Sequence, residues 1–178
     1  MAKRPGPYIL VGHSLGGLNS EYFAAKHPDL VVGLVLEESR PAGFGRSCEA
    51  AKVAGCTPSL ALARLMPPGP RAEIEGLSAT EVQVETAAPV AGKPVLVLSR
   101  PIAAEARPFD RTWGHAQDAL AARYPGVLHL TAPSGGHYVH RDEREWFLKV
   151  LRSYLDRLSP APNGVDGQIN APAGRRSR

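Results

Sequence analysis

The hydrophobic pattern of this chain of 178 residues consists of short, continuously apolar runs separated by longer amphipathic segments. Such runs have the length and aliphatic content of buried parallel strands, and they lie at 8–12, 30–36, 94–99 and 127–131. Helical periodicity follows the first, third and fourth of them, at 15–26, 112–124 and 142–158. This alternation predicts an α/β fold, with a mostly parallel sheet of about four strands flanked by helices. Asp142, with Glu145 three residues later, predicts a capping box at the start of the last helix.

The segment from 40 to 93 does not follow this alternation. It is rich in proline and glycine, holds both cysteines of the chain and shows one helical pattern, around 59–66. We interpret it as a lid-like or cap-like insertion that covers the sheet, because long connections in compact domains usually have a function. Cys48 and Cys56 either close a short disulfide loop or remain two free thiols, and their spacing leaves both open.

Charge and the ends of the chain narrow the classes of protein. The formal net charge is +4, but three arginines lie in the last four residues, so the rest is nearly balanced and no nucleic-acid partner is expected. The polar segment 159–178 is predicted to be a disordered tail. No apolar run approaches the roughly 20 residues of a membrane span. The apolar run before Gly12 is too short for a secretory signal, which favours a cytoplasmic location.

The first apolar run ends in Gly12-His13-Ser14-Leu15-Gly16, a Gly-x-Ser-x-Gly pattern between a strand and a helix. The pattern and its context are those of a nucleophile elbow, where a serine stands at the tip of a sharp turn. A strained, positive φ at Ser14 would leave no room for side chains at Gly12 and Gly16. The N–H of Leu15 would then point to a developing oxyanion, which the helix dipole also favours.

A serine nucleophile needs a neighbouring base, and the chain has six histidines. Four of them are excluded as the base because of their positions. In order, they lie in a strand, in a helix, before a proline, and beside the serine with the ring pointing away: His129, His115, His27 and His13. His137 and His140 remain, in a glycine-rich segment between the last strand and the last helix. A loop at this place must bend back toward the sheet.

The elbow sequence Leu-Val-Gly-His-Ser-Leu-Gly-Gly resembles that of the α/β-hydrolase family. The segment Ser-Gly-Gly-His-Tyr-Val-His is similar to the family's Ser-Gly-His-(Tyr/Phe)-(Ile/Val)-His, whose first histidine is catalytic. The resemblance implies a serine hydrolase with Ser14 as nucleophile, His137 as general base and then general acid, and His140 in a supporting role. It implies a small-molecule ester or acyl substrate, with no cofactor and no metal.

The acid of the implied triad has two possible positions. Many family members carry it shortly after the third strand listed here, where this chain has no carboxylate before Glu105 and Asp110. Others carry it directly after the strand that follows the elbow helix, and there Leu-Val-Leu-Glu-Glu-Ser places Glu38. We assign Glu38, since glutamate also serves in this role, and keep Asp110 as the alternative.

The resemblance covers residues 6 to about 158 and matches only the second half of the family's fold, so residues 1–158 are interpreted as the C-terminal part of such a domain. Without preceding strands, the elbow strand would be an exposed apolar edge open to self-association. The oxyanion hole would keep the Leu15 N–H alone. Two hypotheses follow: a serine hydrolase acting on carboxylic esters, or an inactive hydrolase-like module. Acyl transfer to an acceptor other than water uses the same triad and stays open.

Overall fold

A computed structural model describes residues 6–158 of the chain. Its strands form one sheet in the order β1-β2-β3-β4, with β1 at Tyr8–His13, β2 at Val31–Glu37, β3 at Val95–Ser99 and β4 at Leu128–Thr131. Every neighbouring pair is parallel, which confirms the predicted parallel sheet of four strands. Because parallel neighbours need a crossover, each connection runs along a face of the sheet and returns to the end at which the strands begin.

The helices follow the strands as the alternating pattern predicts. They are α1 (Leu15–Lys26), α2 (Phe44–Ala50), α3 (Leu60–Ala63), α4 (Pro68–Thr86), α5 (Pro108–Ala122), α6 (Val139–Asp142) and α7 (Arg144–Leu158), with a 3-10 turn at Pro28–Leu30. α1 ends at Lys26, directly before His27 and Pro28, because a residue that precedes proline is pushed out of helical geometry.

The hydrophobic core lies on both faces of the sheet. On one face, Leu34 and Leu36 pack with Leu120 of α5. On the other face, Val35 packs with Phe147 of α7. Adjacent side chains of a strand point to opposite faces, so a sheet covered on both sides needs strands that are apolar at every position. This explains the uninterrupted apolar runs in the sequence.

The insertion differs from its prediction in its helices. The helix expected over 59–66 is only α3, at Leu60–Ala63, whereas the longest helix of the segment, α4, was not predicted. Its first turn contains Pro68 and Pro70, which argue against a helix in a sequence but are tolerated where no intrahelical N–H is needed. Leu77 and Val84 of α4 pack with Leu18 of α1. The insertion therefore covers α1, and its action as a lid stays a prediction.

The two cysteines form a disulfide, which decides the alternative left open by their spacing. The bond joins Cys48 of α2 to Cys56, with a Cα–Cα distance of 6.2 Å. Both cysteines pack in a buried cluster with Phe44 and Trp113. The disulfide thus closes the loop after α2 and fixes it against α5.

The start of the last helix was predicted wrongly. α7 begins at Arg144, and Asp142 instead ends the short helix α6. The Asp142 carboxylate accepts a hydrogen bond from the N–H of Gly136 at 2.8 Å, so it holds the glycine-rich loop rather than capping α7. The predicted disordered tail, 159–178, lies outside the described residues.

The elbow strand β1 lies at one edge of the described sheet, paired with β2. The run at 8–12 is therefore not the buried strand that its apolar residues predict: within β1 only Gly12 is buried, and Val11 is 52% exposed, because the strand has one neighbour in the described sheet. None of the helices within residues 6–158 is long and apolar enough to cross a membrane.

Candidate active site

Ser14 stands at the turn between β1 and α1 with backbone angles φ 54° and ψ −123°. Non-glycine residues rarely adopt such a conformation, and it persists only where neighbouring groups hold it. Here the Ser14 N–H donates to the Glu37 carbonyl at 3.2 Å. The Ser14 carbonyl accepts hydrogen bonds from the N–H groups of Gly17 at 3.0 Å and Arg40 at 2.9 Å. The elbow geometry predicted from the sequence is present.

The glycines around Ser14 differ in whether packing leaves room for a side chain. A Cβ atom on Gly12 would stand 2.5 Å from the Gly16 carbonyl oxygen, so this glycine is required, as predicted. Apart from its chain neighbours and the backbone of its own helix, a Cβ atom on Gly16 would meet no described atom within 4 Å, so the same expectation for Gly16 is wrong. Gly17 is the second glycine that packing requires, because a Cβ there would stand 2.5 Å from the Cβ of Ser39.

Glu38 follows β2 and is fully buried, also with a positive φ of 41°. Its carboxylate accepts hydrogen bonds from the Arg100 N–H and from Trp113 Nε1, each at 2.8 Å. Arg100 Nη1 lies 3.2 Å from Oε2, and this guanidinium supplies the opposite charge that a buried carboxylate needs. His137 Nδ1 lies 3.3 Å from the same oxygen. The first candidate acid thus faces the candidate base.

Asp110, the alternative acid, has other partners. Its carboxylate pairs with Arg100 Nη2 at 2.8 Å and with Arg107 Nε at 3.2 Å. Within residues 6–158, no hydrogen bond or ion pair joins Asp110 to His137. The geometry therefore favours Glu38 over Asp110 as the partner of the histidine.

A second glutamate–histidine pair adjoins the first. His140 Nδ1 lies 2.8 and 3.0 Å from the two carboxylate oxygens of Glu37, and the His140 N–H donates to Glu37 Oε1 at 2.6 Å. His140 was predicted to have a supporting role, but its partner Glu37 was not predicted. The signal was two consecutive glutamates at the end of a strand together with two histidines three residues apart.

His13, the neighbour of Ser14, contacts the loop that carries His137. Its Nε2 lies 2.7 Å from the His137 carbonyl oxygen, and its ring stacks on Tyr138 with centroids 5.0 Å apart. The contact links the elbow to the histidine loop from behind. Among the other histidines, His129 is hydrogen-bonded to Ser99 at 2.8 Å, and His27 packs against Phe23.

Ser14 and His137 line one cavity of about 400 Å³. No hydrogen bond joins these two side chains in the described part of the chain, and such bonds are often looser before a substrate is bound. Leu15 is the first residue of α1, so its N–H has no carbonyl partner within the helix. The cavity thus combines a hydroxyl and an imidazole, and α1 begins directly after the serine that supplies the hydroxyl. Among the described residues, no group of three or more His, Cys, Asp or Glu could hold a metal ion.

One further buried acid lies on α1, away from this cavity. Glu21 accepts a hydrogen bond from the Tyr124 hydroxyl at 2.8 Å. Burial raises the pKa of Glu21 to about 7, although the Tyr124 hydrogen bond and the charge of Arg123 act in the opposite direction. This acid was not singled out from the sequence, where it appears as an ordinary polar position of an amphipathic helix.

Comparisons with models of protein families and with curated protein sequences give no match. Solved structures do match. A thermophilic esterase from Thermogutta terrifontis superposes with a TM-score of 0.50 and 21% identity, over 87% of this chain and 66% of that one. E-2-(acetamidomethylene)succinate hydrolase superposes with a TM-score of 0.52 and 23% identity, over 85% of this chain and 67% of that one. NosK from Streptomyces actuosus superposes with a TM-score of 0.55 and 24% identity, over 86% of this chain and 70% of that one.

These structures have the α/β-hydrolase fold, and the parallel strands of this chain, with a sharp serine turn between β1 and α1, are typical of that fold. The chain therefore has the fold of the α/β-hydrolase family, as the elbow and histidine segments implied. It spans about two thirds of the length of the solved structures that it matches.

Proposed function

We propose that this chain is a serine hydrolase that cleaves carboxylic esters or related acyl compounds through an acyl-enzyme. The observation that carries the proposal is the meeting of Ser14 and His137 in one cavity, with His137 Nδ1 facing the buried Glu38 carboxylate. The strained backbone at Ser14 adds support, since strain of this kind is concentrated at functional sites. Matched structures described as an esterase and a hydrolase support the same class of reaction.

In the proposed reaction, Ser14 Oγ attacks the carbonyl carbon of the substrate while His137 Nε2 takes the hydroxyl proton. The N–H of Leu15 stabilises the resulting oxyanion. When the tetrahedral intermediate collapses, the bond to the alcohol breaks and the alcohol leaves with the proton from His137. A water molecule then attacks the acyl group in the same way and regenerates Ser14. Glu38 keeps the proton on His137 Nδ1 and stabilises the imidazolium.

Two alternatives use the same observations differently. An acyl acceptor other than water would make the chain an acyltransferase, because the acyl-enzyme is common to both reactions. An inactive module that associates with itself through the sheet edge is favoured by one observation, the half-exposed Val11 on the edge strand β1. Light scattering together with the labelling experiment below separates this module from the enzyme.

The test is the intact mass of the purified chain after treatment with a fluorophosphonate. A single adduct on the unchanged chain, absent from Ser14→Ala, is the expected result. Ser20→Ala is the matched control, since Ser20 lies on α1, which begins directly after Ser14, and its hydroxyl donates to the Gly16 carbonyl. The control should be labelled like the unchanged chain. No adduct on a folded sample would overturn the proposal.

A further inference from the structure

Three arginines line the cavity that contains Ser14 and His137. They come from separate segments that follow the carboxyl-terminal ends of the strands. Arg40 lies beyond β2, Arg100 directly follows β3, and Arg107 immediately precedes α5. Among the described residues that line this cavity, Asp110 is the only carboxylate. A ligand in the cavity therefore meets three guanidinium groups and one carboxylate.

Two of these arginines are paired with buried glutamates that do not line the cavity. Arg40 Nε lies 2.6 Å from Glu81 Oε1, and Arg40 Nη1 donates to the Cys56 carbonyl at 2.8 Å. Arg100 contacts the buried Glu38 and also Asp110. Their side chains are 11% and 12% exposed, so they are parts of the wall.

Arg107 is different because most of its guanidinium is available. Its side chain is 85% exposed, and only Nε is engaged, at 3.2 Å from Asp110 Oδ2. Within residues 6–158, the two terminal nitrogens of Arg107 have no hydrogen-bond partner. Asp110 also pairs with Arg100, so its carboxylate is divided between the two arginines. The planar fork that remains on Arg107 suits a carboxylate, which it can bind through two parallel hydrogen bonds.

The other part of the cavity wall is aromatic. Phe44 packs edge to face against Phe109 and Trp113, with centroid distances of 5.8 and 4.8 Å. All three residues line the cavity together with Arg107. A ligand that fills this space would place an apolar part against the rings and an anionic group at the arginine.

We infer that the cavity selects acyl compounds with a free carboxylate at the end of a short apolar chain, such as half-esters of dicarboxylic acids, and that Arg107 binds this carboxylate. This inference rests on the proposed serine hydrolase activity of the same site. One carbonyl of the substrate is attacked by Ser14, and the carboxylate at the other end is held by Arg107.

The first experiment compares two chromogenic esters that differ only in charge, 4-nitrophenyl butyrate and the 4-nitrophenyl half-ester of glutaric acid. The measured quantity is the ratio of kcat/KM for the half-ester to kcat/KM for the butyrate. Because Arg107 is largely in solvent, its charge is screened, and we expect Arg107→Gln to lower this ratio about fivefold. Arg111→Gln is the matched control: Arg111 lies in the first turns of α5, which begins directly after Arg107 in the chain, but lines a different cavity. An unchanged ratio in Arg107→Gln would overturn the inference.

The second experiment reads binding without any turnover. Trp113 lines the cavity, so its fluorescence reports a ligand there, and Trp146→Phe removes the signal of the other tryptophan. Titration with glutarate should change the emission with a dissociation constant that rises about fivefold in Arg107→Gln. Glutaramide, the uncharged counterpart, should leave the emission unchanged at the same concentrations.

The two proposals fail in different ways. If Ser14 takes up no phosphonate but glutarate binds through Arg107, the carboxylate site stands and the hydrolase proposal falls. If Ser14 is labelled but glutarate and glutaramide behave alike, the hydrolase stands and the carboxylate site falls.

Discussion

Two glutamate–histidine pairs lie side by side at the end of β2, and they differ in tightness and in position. Glu37 and His140 form the tighter pair, with Nδ1 at 2.8 and 3.0 Å from the carboxylate oxygens. Glu38 and His137 are 3.3 Å apart. Yet His137, and not His140, shares a cavity with Ser14. We therefore choose the pair proposed to be catalytic by its position relative to Ser14 and not by the closeness of acid and histidine.

The partners of the two carboxylates explain the difference. Glu37 binds both the ring and the backbone N–H of His140, so it fixes the position of α6 against the sheet. Glu38 instead receives Trp113 and Arg100 in addition to His137. Glu37 is the last residue of β2, whereas Glu38 follows the strand with a positive φ of 41°, and the neighbouring glutamates enter different environments. One pair is suited to hold a loop and the other to support a reaction.

The largest expected effect separates the two histidines. His137→Gln should lower the rate constant of Ser14 phosphonylation about 10⁴-fold, because the proposed base is lost. His140→Gln should lower it less than about tenfold, because only the position of the loop changes. Stopped-flow or mass-resolved labelling kinetics measure both constants. Equal losses in the two variants would abolish the distinction between the pairs.

The next largest effect is expected for Glu38, the proposed acid partner of His137. Glu38→Gln should lower the same rate constant about 10³-fold, since the neutral amide no longer stabilises an imidazolium on His137. Asp110→Asn is the comparison, because Asp110 pairs with arginines and not with the histidine. A greater loss in Asp110→Asn than in Glu38→Gln would assign the acid to Asp110. Circular dichroism of both variants checks that the fold is retained.

A third buried glutamate, Glu21, has no histidine partner and should affect stability in a pH-dependent way. Its pKa is raised from 4.5 to about 7, so the folded state binds its proton more tightly than the unfolded state. The stabilisation is complete below pH 4.5 and is lost as the pH rises through about 7, which amounts to roughly 3 kcal/mol. Urea unfolding between pH 5 and 8 measures it. Glu21→Gln should remove this part of the pH dependence, and an unaltered pH profile would show that Glu21 is not the group.

The smallest effect is expected for Glu37, the partner of His140. Glu37→Gln weakens the contacts with His140 but leaves an acceptor for its N–H, so the free energy of unfolding should fall by about 1–2 kcal/mol. The labelling rate constant should change less than in Glu38→Gln. Urea unfolding and labelling of the same samples give the two quantities. A kinetic loss as large as that of Glu38→Gln would place Glu37 in the reaction.

Local patterns in the sequence were enough for the strands, for α1 and for the serine turn. Each depends on residues that are close along the chain, such as the apolar run before Gly12 and the His27-Pro28 stop after α1. Predictions failed where local signals conflict or where several tertiary arrangements satisfy one pattern. α4 was hidden by prolines in its first turn, and Asp142 has a cap-like spacing but binds the Gly136 N–H instead. Gly16 and Gly17 look equivalent in the sequence, and only the contact with Ser39 distinguishes them.

The sequence by itself determined the α/β architecture and the strained position of Ser14, because the strand, the turn and the helix there are contiguous in the chain. Only the tertiary structure decided which carboxylate meets which histidine. Glu38 is separated from Trp113 by 75 positions and from His137 by 99, and no spacing rule acts over such distances. The parallel sheet brings these residues together, because the segments that follow its strands all start at the same end of the sheet, where the carboxyl-terminal ends of the strands lie.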